Sequence, residues 1–97
     1  MATYIILGKY TEQGIRNIKD SPNRVDMVRR AMEAAGGKMP GFYLTMGQYD
    51  FVAIGEAPDD EAFTRVLLSI VSSGNVSTQT LRAFPEADFR RIIAAMP

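Results

Sequence analysis

The chain has 97 residues, a net charge of zero from 11 basic and 11 acidic side chains, and neither cysteine nor histidine. That length suits one domain over residues 1–97, near the lower size at which a single core suffices. Balanced charge argues against nonspecific nucleic-acid binding, missing cysteine excludes a disulfide framework and a zinc–thiolate site, and missing histidine removes Ser-His-Asp and Cys-His catalysis within the chain.

The first eight residues, MATYIILG, are apolar only briefly and lack a basic lead-in, so they read as a strand rather than a signal peptide. No apolar run approaches membrane-spanning length. A cytoplasmic protein is the expectation, with no metal, no cofactor, no nucleic acid and no membrane as partners. Residues 3–9 form a nearly continuous apolar run and predict a buried strand. Thr11 can cap a brief helical turn. A longer helix opens at Asp20 or Ser21 with Pro22 in its first turn. Val25, Val28, Met32 and Ala35 then recur at helical spacing until Gly36-Gly37 stops them. Residues 42–46 and 50–56 predict the second and third strands. Asp59, Asp60 and Glu61 open the next helix, where the dipole favours acids. Phe63, Val66, Leu67, Ile70 and Val71 form its stripe, and Gly74 ends it. Residues 75–83 predict a fourth strand, and a last helix after Pro85 carries Phe89, Ile92, Ile93 and Met96. The order β-α-β-β-α-β plus a terminal helix is that of an α+β, ferredoxin-like domain.

The hairpin between the second and third strands allows two registers. A loop of Gly47-Gln48 alone places Leu44 opposite Phe51 and Tyr43 opposite Val52. A loop of Gly47-Gln48-Tyr49 places Leu44 opposite Val52 and Phe42 opposite Ile54. The second gathers the aliphatic residues on one side, suited to helices, and is the expected register. The other side then carries Tyr4, Ile6, Gly8 and Tyr10 with Tyr43 and Thr45, then Phe51, Ala53 and Gly55, followed by Thr78, Thr80 and Arg82. Both faces of the first three strands are thus largely apolar, whereas two helices cover one. A second copy is expected to cover the other, giving a homodimer, with a higher oligomer open, and Ile6 at the pairing face; the alternative is that the terminal helix folds over it.

Candidate site residues follow from that geometry. Tyr4, Tyr43, Phe51, Thr80 and Arg82 are expected to bound a space for a small organic ligand, with the Arg82 fork suited to a carboxylate or phosphate. The competing reading pairs Arg82 with Glu56 or with an acid of a partner chain and packs the tyrosines as core. Gly47, Tyr49 and Asp50 are expected at a hairpin interface. Asp50 can hold the turn by accepting backbone N–H groups, or anchor an ammonium group. Asp59-Asp60-Glu61 reads as helix-dipole complementation rather than a cation site. Arg24, Arg29 and Arg30 read as a solvated helix face. Catalytic residues are not assigned.

The segments YTEQGIRNIKDSPNR (10–24), GQYD (47–50), EAPDD (56–60) and NVSTQTLRAF (75–84) resemble the GYD-domain family. The likeness spans nearly the whole chain and implies membership of the dimeric α/β-barrel superfamily, without implying a reaction. Pro85 departs from the threonine that often caps the last helix in that family. The hairpin is also similar to the effector-binding domain of leucine- and asparagine-responsive regulators, which use it for oligomer contacts and an amino-acid site. The superfamily further includes cofactor-independent monooxygenases. The expected function is a non-enzymatic, homodimeric small-ligand-binding module; the alternatives are a barrel enzyme of monooxygenase or isomerase type and a structural or interaction protein. Likeness of fold does not choose among them.

Overall fold

Glycine, proline and acidic caps divide the chain where the sequence places them. The computed structural model describes residues 1–97 and contains β1 (Ala2–Tyr10), α1 (Glu12–Arg16), a 3₁₀ turn (Ile18–Asp20), α2 (Ser21–Ala34), β2 (Lys38–Leu44), β3 (Phe51–Ala57), α3 (Asp60–Val71), β4 (Val76–Ala83) and α4 (Glu86–Ala94). Thr11 caps α1 by accepting the Gly14 N–H, and Asp59 caps α3 by accepting the Ala62 N–H. The expected β2 begins too late and ends too late in the sequence reading. The strand starts at Lys38, and its pairing with β3 is irregular between Lys38 and Gly41, around Pro40. It runs along the edge of the sheet, where a missing N–H is tolerated.

The four strands form one antiparallel sheet in the order β2-β3-β1-β4. The fold is α+β and ferredoxin-like. The core joins Tyr4, Ile6 and Ala53 on the sheet to Met32 of α2 and to Phe63 and Val66 of α3. Tyr4 and Phe63 stack with ring centroids 4.0 Å apart.

The hairpin register is the one the sequence reading set aside. Leu44 pairs with Phe51, Tyr43 with Val52 and Phe42 with Ala53. The faces are therefore exchanged. Tyr4, Ile6 and Gly8 line up with Phe51, Ala53 and Gly55 under the helices. The physical reason is room. The helix side must hold the rings of Phe51 and Phe63 and the Met32 side chain, so glycine and alanine alternate with the large residues there. A Cβ at Gly8 would stand 2.0 Å from the Phe51 ring. That ring lies across β1, which is why Gly8 is required.

The opposite face carries Ile5, Leu7, Val52 and Ile54 at its centre, half-buried, with Tyr43 59% and Leu81 43% exposed beside them. No helix lies over it. Polar residues close both ends: Thr3, Glu56 and Lys38 at one, Lys9, Ser77 and Gln79 at the other. Ile6, expected at the pairing face, is instead in the chain's own core.

The C-terminal helix stands apart. α4 makes no extended contact with any other element, and Phe89, Ile92, Ile93 and Met96 are 40–62% exposed. The radius of gyration, 14.5 Å, exceeds the roughly 12.5 Å of a compact chain of this length. The longest dimension reaches 52 Å.

Candidate functional site

The GQYD turn is a latch rather than a free loop. Gly47 has φ +117, a left-handed conformation, and a Cβ there would meet nothing within 4 Å, so backbone conformation alone favours glycine. The turn then folds back onto β1. The Asp50 N–H donates to the Gly8 carbonyl at 2.8 Å, and the Asp50 carboxylate accepts the Tyr10 N–H at 2.8 Å. Asp50 thereby supplies an acceptor just before β3 begins, prolonging the β1–β3 pairing. Thr45 closes the other strand: its N–H donates to the Asp50 carbonyl and its hydroxyl to the Tyr49 carbonyl.

Tyr49 reaches across β1. Its hydroxyl donates to Gln79 of β4 at 2.7 Å, and the Lys9 ammonium lies 5.4 Å from its ring centroid. Both partners belong to the open face, so the turn forms one edge of that face. Gly47, Tyr49 and Asp50, expected at a hairpin interface, all belong to this turn, while Ile6, expected with them, lies in the core.

The expected ligand-binding set is divided. Tyr4, Phe51, Thr80 and Arg82 fall on the helix side, while Tyr43 lies on the open side. Tyr4 is buried and its hydroxyl donates to the Asp60 carboxylate. Burial first, and the neighbouring Asp60 carboxylate second, push its phenol up to about 12. Arg82 is exposed and donates to the carbonyls of Thr3 and Ala83. Its guanidinium lies 4.7 Å from the Phe84 ring and 5.7 Å from the Tyr4 ring. It does not pair with Glu56, which faces the other way and meets Lys38 at 3.4 Å. The Thr80 hydroxyl is buried without a partner.

The three acids that open α3 divide their work. Asp59 caps the helix, Asp60 accepts from Tyr4, and Glu61 meets Arg65 at 3.3 Å. Arg29 and Arg30 lie on the outer side of α2, as expected, with Arg29 3.6 Å from Asp26. Arg24 does not. Its side chain is 21% exposed, Nη1 donates to the Asn17 carbonyl at 3.1 Å, and Nη2 is buried without a partner. The available signal was positional. Arg24 precedes Val25 and Val28 by one residue and one turn, at the edge of the apolar stripe of α2.

Comparison with known proteins bears on these features. The family model described as the GYD domain matches residues 4–93. A Thermus thermophilus protein named "Glutamine synthetase and cystathionine beta-lyase binding protein" is 36% identical over 89 residues, covering 91% of this chain and 94% of its own. The crystal structure of a Thermus thermophilus protein superimposes with a TM-score of 0.55 at 28% identity, covering 87% of this chain and 94% of that one.

Proposed function

Because the chain belongs to the GYD-domain family, we propose that it is a protein-interaction module: it pairs with a second copy through its open sheet face and presents α4 to a partner enzyme. The observation that carries this reading is the apolar stripe of α4. Phe89, Ile92 and Ile93 on α4, with Met96 just past its end, follow the i, i+3, i+4, i+7 spacing of a helix that docks in a groove, and all four are exposed. The fold supplies no groove of its own for them. The name of the Thermus relative supports the class of partner, since it describes a protein that binds two metabolic enzymes.

The open face supports self-pairing. It has an apolar centre and polar ends, the arrangement of protein interfaces. Its central pairs, Ile5 with Ile54 and Leu7 with Val52, lie side by side across β1 and β3. In a face-to-face pair Tyr43 and Leu81 become interface residues, and the Tyr49–Gln79 contact borders the seam. Tyr4, Phe51 and Thr80 remain on the helix side.

Binding of the chain to immobilised glutamine synthetase and cystathionine β-lyase tests the enzyme-docking role. The wild type is expected to bind at least one of them, and the double variant Ile92→Ser, Ile93→Ser to bind at least tenfold more weakly while keeping its oligomeric mass. A wild type that binds neither enzyme, or a variant that binds as well as wild type, overturns the role given to α4.

A further inference from the structure

α4 leaves the sheet through two residues. β4 ends at Ala83, Phe84 and Pro85 follow, and the helix starts at Glu86. Beyond that point it makes no extended contact with any other element, so whatever fixes its direction must act at its base. Backbone chemistry does part of this. The Pro85 ring locks φ, here −55, and the residue before a proline is held to extended conformations. The Phe89 N–H donates to the Pro85 carbonyl at 2.9 Å, so Pro85 turns with the helix. The remaining freedom lies in the Phe84 backbone.

A line of stacked groups runs from the core to the Phe84 side chain. Phe63 of α3 stacks on Tyr4 of β1, and both are buried. The Arg82 guanidinium of β4 comes next, 5.7 Å from the Tyr4 ring and 4.7 Å from the Phe84 ring. Arg82 is itself held at Nη1, which donates to the carbonyls of Thr3 and Ala83. None of the chain's ion pairs includes it. Its charge is therefore left to the aromatic faces, which attract a cation within about 6 Å of their centroids.

We propose that Arg82 is a positioning residue: by tying the Phe84 ring to the Phe63–Tyr4 stack it holds α4 in one direction, clear of the domain. The arginine expected to receive a ligand's acid serves an aromatic ring at the base of the projecting helix. The fixed direction rests on these contacts, and its use in docking rests on the role proposed above for α4. A helix already held as it will bind gives up less freedom on binding.

The test is NMR relaxation of the backbone amides, without any enzyme, in wild type, Arg82→Ala, Phe84→Leu and Phe84→Trp. In wild type the amides of α4 are expected to share the order parameters of the sheet, about 0.85. In Arg82→Ala and Phe84→Leu they are expected to fall below about 0.6, with β1 and α3 unchanged. Phe84→Trp keeps an aromatic face for the guanidinium and is expected to match wild type. Low order parameters along α4 in wild type, or wild-type values in Arg82→Ala, overturn the proposal. So does a Phe84→Leu protein as ordered along α4 as Phe84→Trp. Should Arg82→Ala not fold, the two Phe84 variants decide the matter, since that side chain is exposed. Because no enzyme is present, a wild type that binds neither glutamine synthetase nor cystathionine β-lyase overturns the docking role without altering this result.

Discussion

Asp50 spends its charge on the backbone. With its carboxylate on the Tyr10 N–H and its own N–H on the Gly8 carbonyl, it acts as the clasp between hairpin and first strand. Asp50→Ala leaves that N–H without its acceptor and is expected to destabilise the fold by about 1–3 kcal/mol, read as a lower urea midpoint. Asp50→Asn keeps an acceptor oxygen and should recover most of the loss, which a requirement for negative charge at this position would not allow. Tyr4 makes a prediction in pH. Its phenol, near 10 in the unfolded chain and raised to about 12 in the folded one, keeps its proton in both states below pH 10. Between pH 10 and 12 the unfolded chain releases the proton first, so the stability from this group is complete below pH 10 and is lost toward pH 12. Urea midpoints from pH 9 to 11.5 should fall more steeply for wild type than for Tyr4→Phe; parallel curves contradict the assignment.

At the scale of elements, the order and kinds of the helices and strands and the Thr11 cap were legible because they rest on local chemistry, whereas Asp20 precedes α2 without a capping side-chain hydrogen bond. Pro22, Thr11, Asp59 and the glycine pair 36–37 act on their own neighbours. Register was not legible, because it is decided across the sheet by what the helices need. Gathering Phe42, Leu44, Val52 and Ile54 on one side satisfied the pattern of the hairpin alone. It ignored that small residues leave room on that face: at Gly8 for the Phe51 ring lying across β1, and at Gly55 for Met32 and Phe63 of the helices. The rule that large packs against small across a layer would have indicated the correct face. The same error carried the candidate site with it, since Tyr4, Phe51, Thr80 and Arg82 moved to the helix side and Tyr43 did not. The exchange of faces yields a paired prediction. Ile6→Ala, now a core truncation, should cost about 3 kcal/mol and leave the oligomeric mass unchanged. Leu7→Asp on the open face should lower that mass with a smaller effect on the subunit's own core. If Ile6→Ala dissociates the assembly and Leu7→Asp does not, the face assignment is wrong.

For the whole molecule, one conclusion survives the exchange: a single layer of helices covers one side of a sheet that is apolar on both. Which side is open differs from the sequence-based expectation. That a side is open does not, and the projecting α4 adds a second uncovered surface that periodicity alone could not distinguish from a packed terminal helix. Uncovered apolar surface on the sheet and on α4 is what supports the proposed interactions. The most direct test is sedimentation velocity on the wild type and on Ile54→Lys, run together from low to high micromolar concentration. The wild type is predicted to sediment at twice the 10.7 kDa chain mass or a multiple of it, and Ile54→Lys at the mass of one folded chain. A wild type that remains at 10.7 kDa across the whole range, or an Ile54→Lys variant as large as wild type, would contradict the account.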